Sequence, residues 1–208
     1  MIELWHCKDA RSLRALWALE ELGLDYELHL LGFPPRAADP GFLDINPLGT
    51  VPFLIDGAVQ MTESSAITQY LAQIYGAGTL AVTPDEAAYG EYLNWMFHSD
   101  ATLTFPQTLI LRYGSFEPRE RRQPQVVQDY TQWYLARLKL VNARLASADW
   151  LCADRFTAAD IAVGYALYLG EVIGISEHYK PQTLAYLDRI KARDGFQRAN
   201  APGIPLKV

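Results

Sequence analysis

The chain has 208 residues, 50% of them hydrophobic and 20% charged, a composition that supports one large core or two modest ones and excludes a wholly disordered protein. Its formal net charge is −6 and its pI is near 5.2, without a cluster of Lys and Arg, so we expect no nucleic-acid partner. The two cysteines form no C-x-x-C pair, which argues against a disulfide framework and a dithiol redox motif.

The first residues lack the basic region and the long apolar stretch of a secretory signal. No later segment approaches the roughly 20 apolar residues that span a bilayer. We therefore expect a cytoplasmic protein without a membrane partner.

The first eighty or so residues alternate short apolar runs with helical patterns. The predicted strands cover residues 2–6, 26–31, 51–55 and 58–61, and the predicted helices include residues 12–22 and 64–75. The Asp56-Gly57 turn joins the last two strands into an antiparallel hairpin. The order β-α-β-α-β-β-α predicts a small mixed sheet with helices on its faces, which is the thioredoxin-like arrangement.

The rest of the chain carries helical periodicity without a clear strand, over residues 85–113, 118–146, 158–173 and 181–193. A Thr cap followed by Pro84 announces the first of these helices, and Thr157 with Asp160 forms a capping box before the third. We therefore predict an α/β plus all-α protein, with a thioredoxin-like domain at 1–77 followed by an all-helical domain at 84–208.

The most informative segment is Asn46-Pro47-Leu48-Gly49-Thr50-Val51-Pro52-Phe53. A cis bond at Val51-Pro52 would turn the backbone N–H and C=O of Val51 outward as a docking edge for a peptide-like ligand. Beyond the hairpin, Glu63-Ser64 stands where a strand passes into a helix, a position suited to binding a carboxylate at Ser64 and an ammonium at Glu63. Each feature alone also fits a stiffened turn or a helix cap.

Together, at this spacing, these two motifs resemble the glutathione transferase superfamily, and the resemblance, which points to a bacterial member, covers essentially the whole chain. It implies that Val51, before Pro52, pairs with the cysteinyl backbone of glutathione and that Glu63 and Ser64 hold its γ-glutamyl end. Thr50 stands where many members have Lys or Gln, and Arg36 is a candidate substitute at the glycine carboxylate.

The loop from Cys7 to Ser12, before the first helix, is where the resemblance places the glutathione sulfur. Lowering a thiol pKa by about two units takes roughly 2.7 kcal/mol, which one charge-assisted hydrogen bond and a helix N-terminus can supply. Ser12 is the first candidate donor, followed by Arg11 and Cys7. The alternatives are that Ser12 caps the helix, that Arg11 is a solvated charge and that Cys7 fills apolar space.

In the helical domain, four residues are predicted to line the pocket for an electrophilic substrate: His98, Phe105, Arg112 and Tyr113. Core packing of the aromatic residues and a satisfied polar role for His98 are the alternatives. The remaining histidines have no spacing suited to metal binding, and we expect neither a metal nor a redox cofactor.

These observations predict a homodimeric glutathione transferase that uses glutathione as co-substrate and conjugates its thiolate to a small hydrophobic electrophile. Two alternatives stay open. One is a glutathione-dependent thiol transferase or peroxidase that depends on Cys7, and the other is a non-catalytic adaptor on the same fold.

Overall fold

The structure is a computed structural model that describes residues 1–206. The described residues divide into two compact units, one formed by Met1–Ala81 with residues 191–206, the other by Val82–Ile190. The predicted all-helical domain ends at residue 208, so its last two residues lie outside the described part of the chain. The predicted domain limits stay predictions.

The first unit contains a four-stranded sheet and five helices within the described residues. In chain order they are β1 (Ile2–His6), α1 (Leu13–Leu22), β2 (Tyr26–Leu30), α2 (Pro35–Ala38), α3 (Phe42–Ile45), β3 (Phe53–Asp56), β4 (Val59–Met61) and α4 (Ser64–Tyr75), with α10 (Asp194–Ala199) returning from the end of the chain. The predicted thioredoxin-like class is confirmed.

The sheet has the strand order β2-β1-β3-β4. β1 pairs with β2 in parallel and with β3 antiparallel, and β3 and β4 form the predicted antiparallel hairpin. Its turn needs Gly57, whose φ of +59° lies in the left-handed region that glycine adopts without steric cost. Because β1 is central, residues placed on it have neighbours on both sides.

Both faces of the sheet are buried at the central strand β1. Alternate residues of a strand point to opposite faces, so Leu4 lies on one face and Trp5 on the other. Trp5 forms a buried aromatic cluster with Phe42 and Phe53. Helix α1 packs against α4 and α10, and it ends at Gly23 with φ +61°.

The second unit is helical. Its elements are α5 (Tyr89–Phe97), α6 (Phe105–Leu111), α7 (Pro124–Leu145), α8 (Ala158–Val172) and most of α9 (Pro181–Lys191), with π-helical segments at His98–Thr104 and Arg112–Phe116 and 3₁₀ turns at Arg119–Arg121 and Ser176–His178. The prediction of one α-helix over residues 85–113 is therefore wrong in detail. Pro106 in the first turn of α6 has no N–H to donate to the preceding turn, and the Phe105 N–H bonds the Asp100 carbonyl five residues back.

Helix α8 is the core of the second unit, and all but two of its fifteen residues are buried. A helix that is apolar on all sides is stable when other helices surround it and bury it. The predicted capping box is present, with the backbone N–H of Thr157 donating to Asp160 Oδ2 at 2.8 Å. Asp160 also accepts bonds from Leu151 N–H and the Tyr186 hydroxyl, at 3.1 and 2.7 Å. Burial nevertheless raises the pKa of Asp160 to about 6, against the opposite effect of these donors.

Candidate functional site

The loop between β1 and α1 is organised around the Ser12 hydroxyl, which is 0% exposed. Ser12 Oγ lies 2.9 Å from His6 Nδ1, accepts the Cys7 N–H at 3.2 Å and is within 3.2 Å of the Cys7 carbonyl. A hydroxyl has one proton and two acceptor sites, so these neighbours use its full capacity. Ser12 therefore ties the loop to the end of β1, and its side chain does not cap α1.

Cys7 is equally enclosed. Its side chain is 1% exposed and its thiol donates to the Gly32 carbonyl at 3.4 Å. Burial raises the pKa of the Cys7 thiol to about 12. Because the thiolate is the reactive form, this cysteine is a poor nucleophile near neutral pH.

Arg11 differs from the other two sulfur-site candidates because its side chain is only partly buried. It lies immediately before Ser12 and α1, and its carbonyl accepts the Arg14 N–H at 3.1 Å. A guanidinium stays charged at any physiological pH and carries several donors. Arg11 is thus the candidate that combines a positive charge with access to solvent.

The corner at Val51-Pro52 has the predicted cis peptide bond. Asn46, buried before the corner, bonds the Thr50 carbonyl with its side-chain amide at 2.8 Å and accepts the Leu48 N–H at 3.1 Å. Within residues 1–206, the Val51 backbone makes no hydrogen bond to another residue. The corner is therefore held by Asn46, while Val51 keeps a free N–H and C=O.

Gly49 lies close to Arg36 beside this corner. Gly49 has φ +59°, and a Cβ there would come within 2.9 Å of Arg36 Cβ. The close approach brings α2, which carries the exposed Arg36, against the turn that leads to Thr50 and Val51. The structure thus places four of the six predicted glutathione-binding residues on two adjacent segments: Arg36, Thr50, Val51 and Pro52.

The remaining two stand at the start of α4. Glu63 is exposed and has extended backbone angles, and the buried Ser64 is the first residue of the helix. Ser64 Oγ accepts a hydrogen bond from Arg14 Nη1 at 3.0 Å, and Arg14, on α1, is 0% exposed. Because Arg only donates, the Ser64 hydroxyl keeps its own proton for another acceptor. Like the N-terminus of any helix, the start of α4 presents backbone N–H groups that favour a bound anion.

The predicted electrophile-pocket residues all lie in the second unit, around its two π-helical segments. His98 packs edge-on against Trp95, and no described residue hydrogen-bonds its buried Nε2. Burial, helped by the charge of Arg137, lowers the pKa of His98. Arg112 bonds Glu117 at 3.0 Å and lies 5.7 Å from the centre of the Tyr113 ring, while Phe105 is half exposed.

Comparison with known proteins identifies relatives of this chain. The family model described as "Glutathione S-transferase, N-terminal domain" matches residues 10–74. Glutathione S-transferase 4 of Zea mays is 32% identical over 159 residues, which cover 72% of this chain and 68% of that protein. The chain belongs to the glutathione S-transferase family.

Further relatives extend the match to more of the chain. Glutathione S-transferase 3 of Schizosaccharomyces pombe is 29% identical over 82% of this chain and 75% of its own length. The crystal structure of a theta class glutathione S-transferase from Xanthomonas axonopodis pv. citri, with glutathione bound, has 26% identity and a TM-score of 0.81, covering 97% of this chain and 98% of that one. The predicted superfamily and the prediction of a glutathione S-transferase enzyme are confirmed. Separately, none of the helices in residues 1–206 has the length and apolarity needed to cross a membrane.

Two residues of this glutathione S-transferase were missed from the sequence. Arg14 lies in α1 between buried Leu13 and Ala15, and a charged residue in a buried helix turn is the signal that marks it. His6 ends β1 with a Nε2 atom that is buried and has no hydrogen-bond partner among the described residues. Burial lowers the pKa of His6 to about 4, against a smaller opposing effect of Asp9. The roles predicted for the site residues stay predictions.

Proposed function

We propose that this chain binds glutathione in its first unit and conjugates the glutathione thiolate to an electrophilic carbon of a small hydrophobic substrate. The observation that carries the proposal is the buried Arg14–Ser64 hydrogen bond at the N-terminus of α4. It places a fixed positive charge behind a serine whose proton is available to a carboxylate. Membership of the family and the glutathione bound to the Xanthomonas axonopodis structure support the choice of ligand.

The γ-glutamyl end of glutathione fits the start of α4. Its carboxylate accepts from the Ser64 hydroxyl and the first N–H groups of the helix, while its ammonium faces Glu63. A hydrogen bond to a charged group contributes about 1.5–3 kcal/mol, and a helix N-terminus about 0.3–1 kcal/mol. These contributions are enough to hold one end of a small ligand.

The rest of the tripeptide runs along the Val51 corner. The free N–H and C=O of Val51 pair with the cysteinyl backbone in the manner of an added strand. Thr50 and Arg36, next to this corner, then face the glycine carboxylate. The cysteinyl sulfur lies between the two anchored ends.

The sulfur is stabilised from the start of α1. Ser12 would have to give up a bond to His6 or Cys7 before it could donate, so we assign the main role to Arg11, supported by the positive end of the helix. Catalysis then rests on electrostatic stabilisation of the thiolate and on positioning of both substrates. The electrophile is proposed to bind beside His98, Phe105, Arg112 and Tyr113. Membership of the family also supports the proposal that the protein is a cytoplasmic homodimer. Sedimentation velocity at micromolar protein concentration tests whether it is dimeric.

Calorimetric titration with glutathione tests the carboxylate site. Ser64→Ala should weaken binding by about 1–3 kcal/mol, or roughly 5- to 150-fold, because a buried carboxylate loses a donor. Ser99→Ala is the matched control, since Ser99 is also a buried serine but bonds the Met96 carbonyl of the second unit. Equal affinity of Ser64→Ala and wild type would refute the site. If wild type failed to bind millimolar glutathione, the adaptor alternative would replace the transferase.

A further inference from the structure

Three side chains with metal-binding atoms meet on one face of the sheet. Glu3 belongs to β1, and Glu27 and His29 belong to β2, where they stand two residues apart and so share a face. In the parallel register Glu3 lies directly opposite Glu27, and His29 lies opposite Trp5. We call Glu3, Glu27 and His29 the β1–β2 triad.

The imidazole of the triad is held in one orientation. The ring of His29 stacks on the ring of Trp5, with centroids 4.2 Å apart and planes 17° from parallel. This contact directs Nε2 to the carboxylates, 3.1 Å from Glu3 Oε2 and 3.8 Å from Glu27 Oε1. One ligand atom from each residue lies within 4.8 Å of the other two.

These distances suit a small divalent ion. Zinc binds histidine nitrogen and carboxylate oxygen at about 2.0–2.2 Å, so neighbouring ligand atoms in a tetrahedral site are about 3.4 Å apart. The ligand atoms of the triad lie within 4.8 Å of one another, so no pair exceeds that spacing by more than about 1.4 Å. The side chains of Glu3, Glu27 and His29 are 34%, 56% and 30% exposed, so an ion can reach them from solution.

Two negative charges on β1 and β2 face each other and would be stabilised by a bound cation. Like charges placed directly opposite each other on neighbouring strands are destabilising, and Glu3 and Glu27 stand in that relation. In the part of the chain that the structure describes, neither forms an ion pair with Lys or Arg. A bound divalent ion would neutralise the repulsion that this pairing creates.

We propose that the β1–β2 triad binds a divalent transition-metal ion of zinc type, with water at the fourth position. One imidazole and two carboxylates are a ligand set that zinc accepts, with the open site typical of three protein ligands. The site is separate from the residues assigned to glutathione and does not depend on the proposed transferase activity. Sequence spacing gives no sign of it, because its ligands come from two strands that only the sheet brings together.

Zinc titration of the tag-free full-length protein tests the proposal. Calorimetry in a buffer that does not bind zinc, without glutathione, should show one ion per chain. Co²⁺ should give the intense visible absorption bands of a tetrahedral site and should be displaced by Zn²⁺. His29→Gln, Glu3→Gln and Glu27→Gln should each weaken affinity more than about 10-fold, since even loss of an outer-shell partner costs 10- to 100-fold.

His178→Gln is the matched control. His178 also lies near a glutamate, with Nε2 3.5 Å from Glu177 Oε1, but this exposed pair belongs to no described group of three ligands. Its affinity for zinc should equal that of wild type. No zinc binding at about 1 mM, unchanged affinity in His29→Gln, or a loss in the control would overturn the proposal, and the triad would then be an ion-pair cluster. Circular dichroism of each variant verifies that the fold is retained, and glutathione titration verifies that the two sites are independent.

Discussion

Replacing Gly170 with alanine should strongly destabilise the second unit. Gly170 lies near the end of α8, and a Cβ built there falls 1.7 Å from the Tyr179 hydroxyl oxygen and 2.9 Å from Cζ of the same ring. Tyr179 is buried, so its ring has little room to retreat. Its hydroxyl bonds the Tyr134 hydroxyl at 2.5 Å and the Leu167 carbonyl at 3.1 Å.

The magnitude follows from three contributions. Overpacking of a core costs about 1–3 kcal/mol. The two hydrogen bonds of the displaced tyrosine contribute about 0.5–1.5 kcal/mol each. Alanine regains at most about 1 kcal/mol of helix propensity over glycine. The free energy of unfolding should therefore fall by about 3 kcal/mol, which scanning calorimetry and urea denaturation of Gly170→Ala would both detect.

Two further variants separate the clash from other effects. In Gly90→Ala, in α5, the new Cβ meets nothing within 4 Å, so this variant should be as stable as wild type or up to about 1 kcal/mol more stable. Adding Tyr179→Phe to Gly170→Ala removes the atom at 1.7 Å and should recover part of the loss, a coupling that a double-mutant cycle measures. A Gly170→Ala protein as stable as wild type would refute the packing described here.

Two other predictions concern buried titratable groups. Burial lowers the pKa of His6 from 6.5 to about 4, so the unfolded chain takes up a proton that the folded chain excludes, and stability is lost as the pH falls from about 6.5 to 4. Between pH 7.5 and 5 the wild type should lose about 2 kcal/mol of unfolding free energy relative to His6→Gln, and equal losses of both proteins in urea denaturation would contradict this. Burial raises the pKa of the Cys7 thiol to about 12 and that of the Cys152 thiol to about 11, so an aromatic disulfide reagent should react with neither in the folded protein at pH 8 and with both in denaturant. Rapid reaction of Cys7 in the folded protein would instead support the thiol-transfer alternative.

Local signals predicted most of the fold. The hairpin follows from Asp56-Gly57, because the left-handed turn needs glycine, and the start of α8 follows from Thr157 and Asp160, which bond each other's backbone within four residues. The π-helical interruption before α6 was missed although Pro106 was visible. A proline disturbs the turn before it, but whether the helix breaks, kinks or widens depends on packing that a sequence pattern does not contain.

The site was predictable only where its residues are neighbours in sequence. The Val51-Pro52 corner and the Glu63-Ser64 pair are contiguous motifs, whereas the contact between Arg14 and Ser64 joins residues 50 positions apart. Whether a side chain is available to a ligand is also a tertiary property. Ser12 stood first among the sulfur donors by sequence, yet His6 and Cys7 occupy its hydroxyl.

Helix α1 links both ends of the proposed glutathione site. Ser12, just before its first residue, is bonded to β1 through His6, and Arg14, two residues later, is bonded to α4 through Ser64. One turn of helix therefore sets the spacing between the sulfur loop and the carboxylate site. A loss of rate in Ser12→Ala would then not identify Ser12 as a sulfur donor, because releasing the loop also moves Arg11. Arg11→Ala separates the two, because Ser12 and its bonds stay intact there: a raised pKa of the bound thiol in Arg11→Ala, read from thiolate absorbance against pH with unchanged glutathione affinity, identifies Arg11 as the stabilising group.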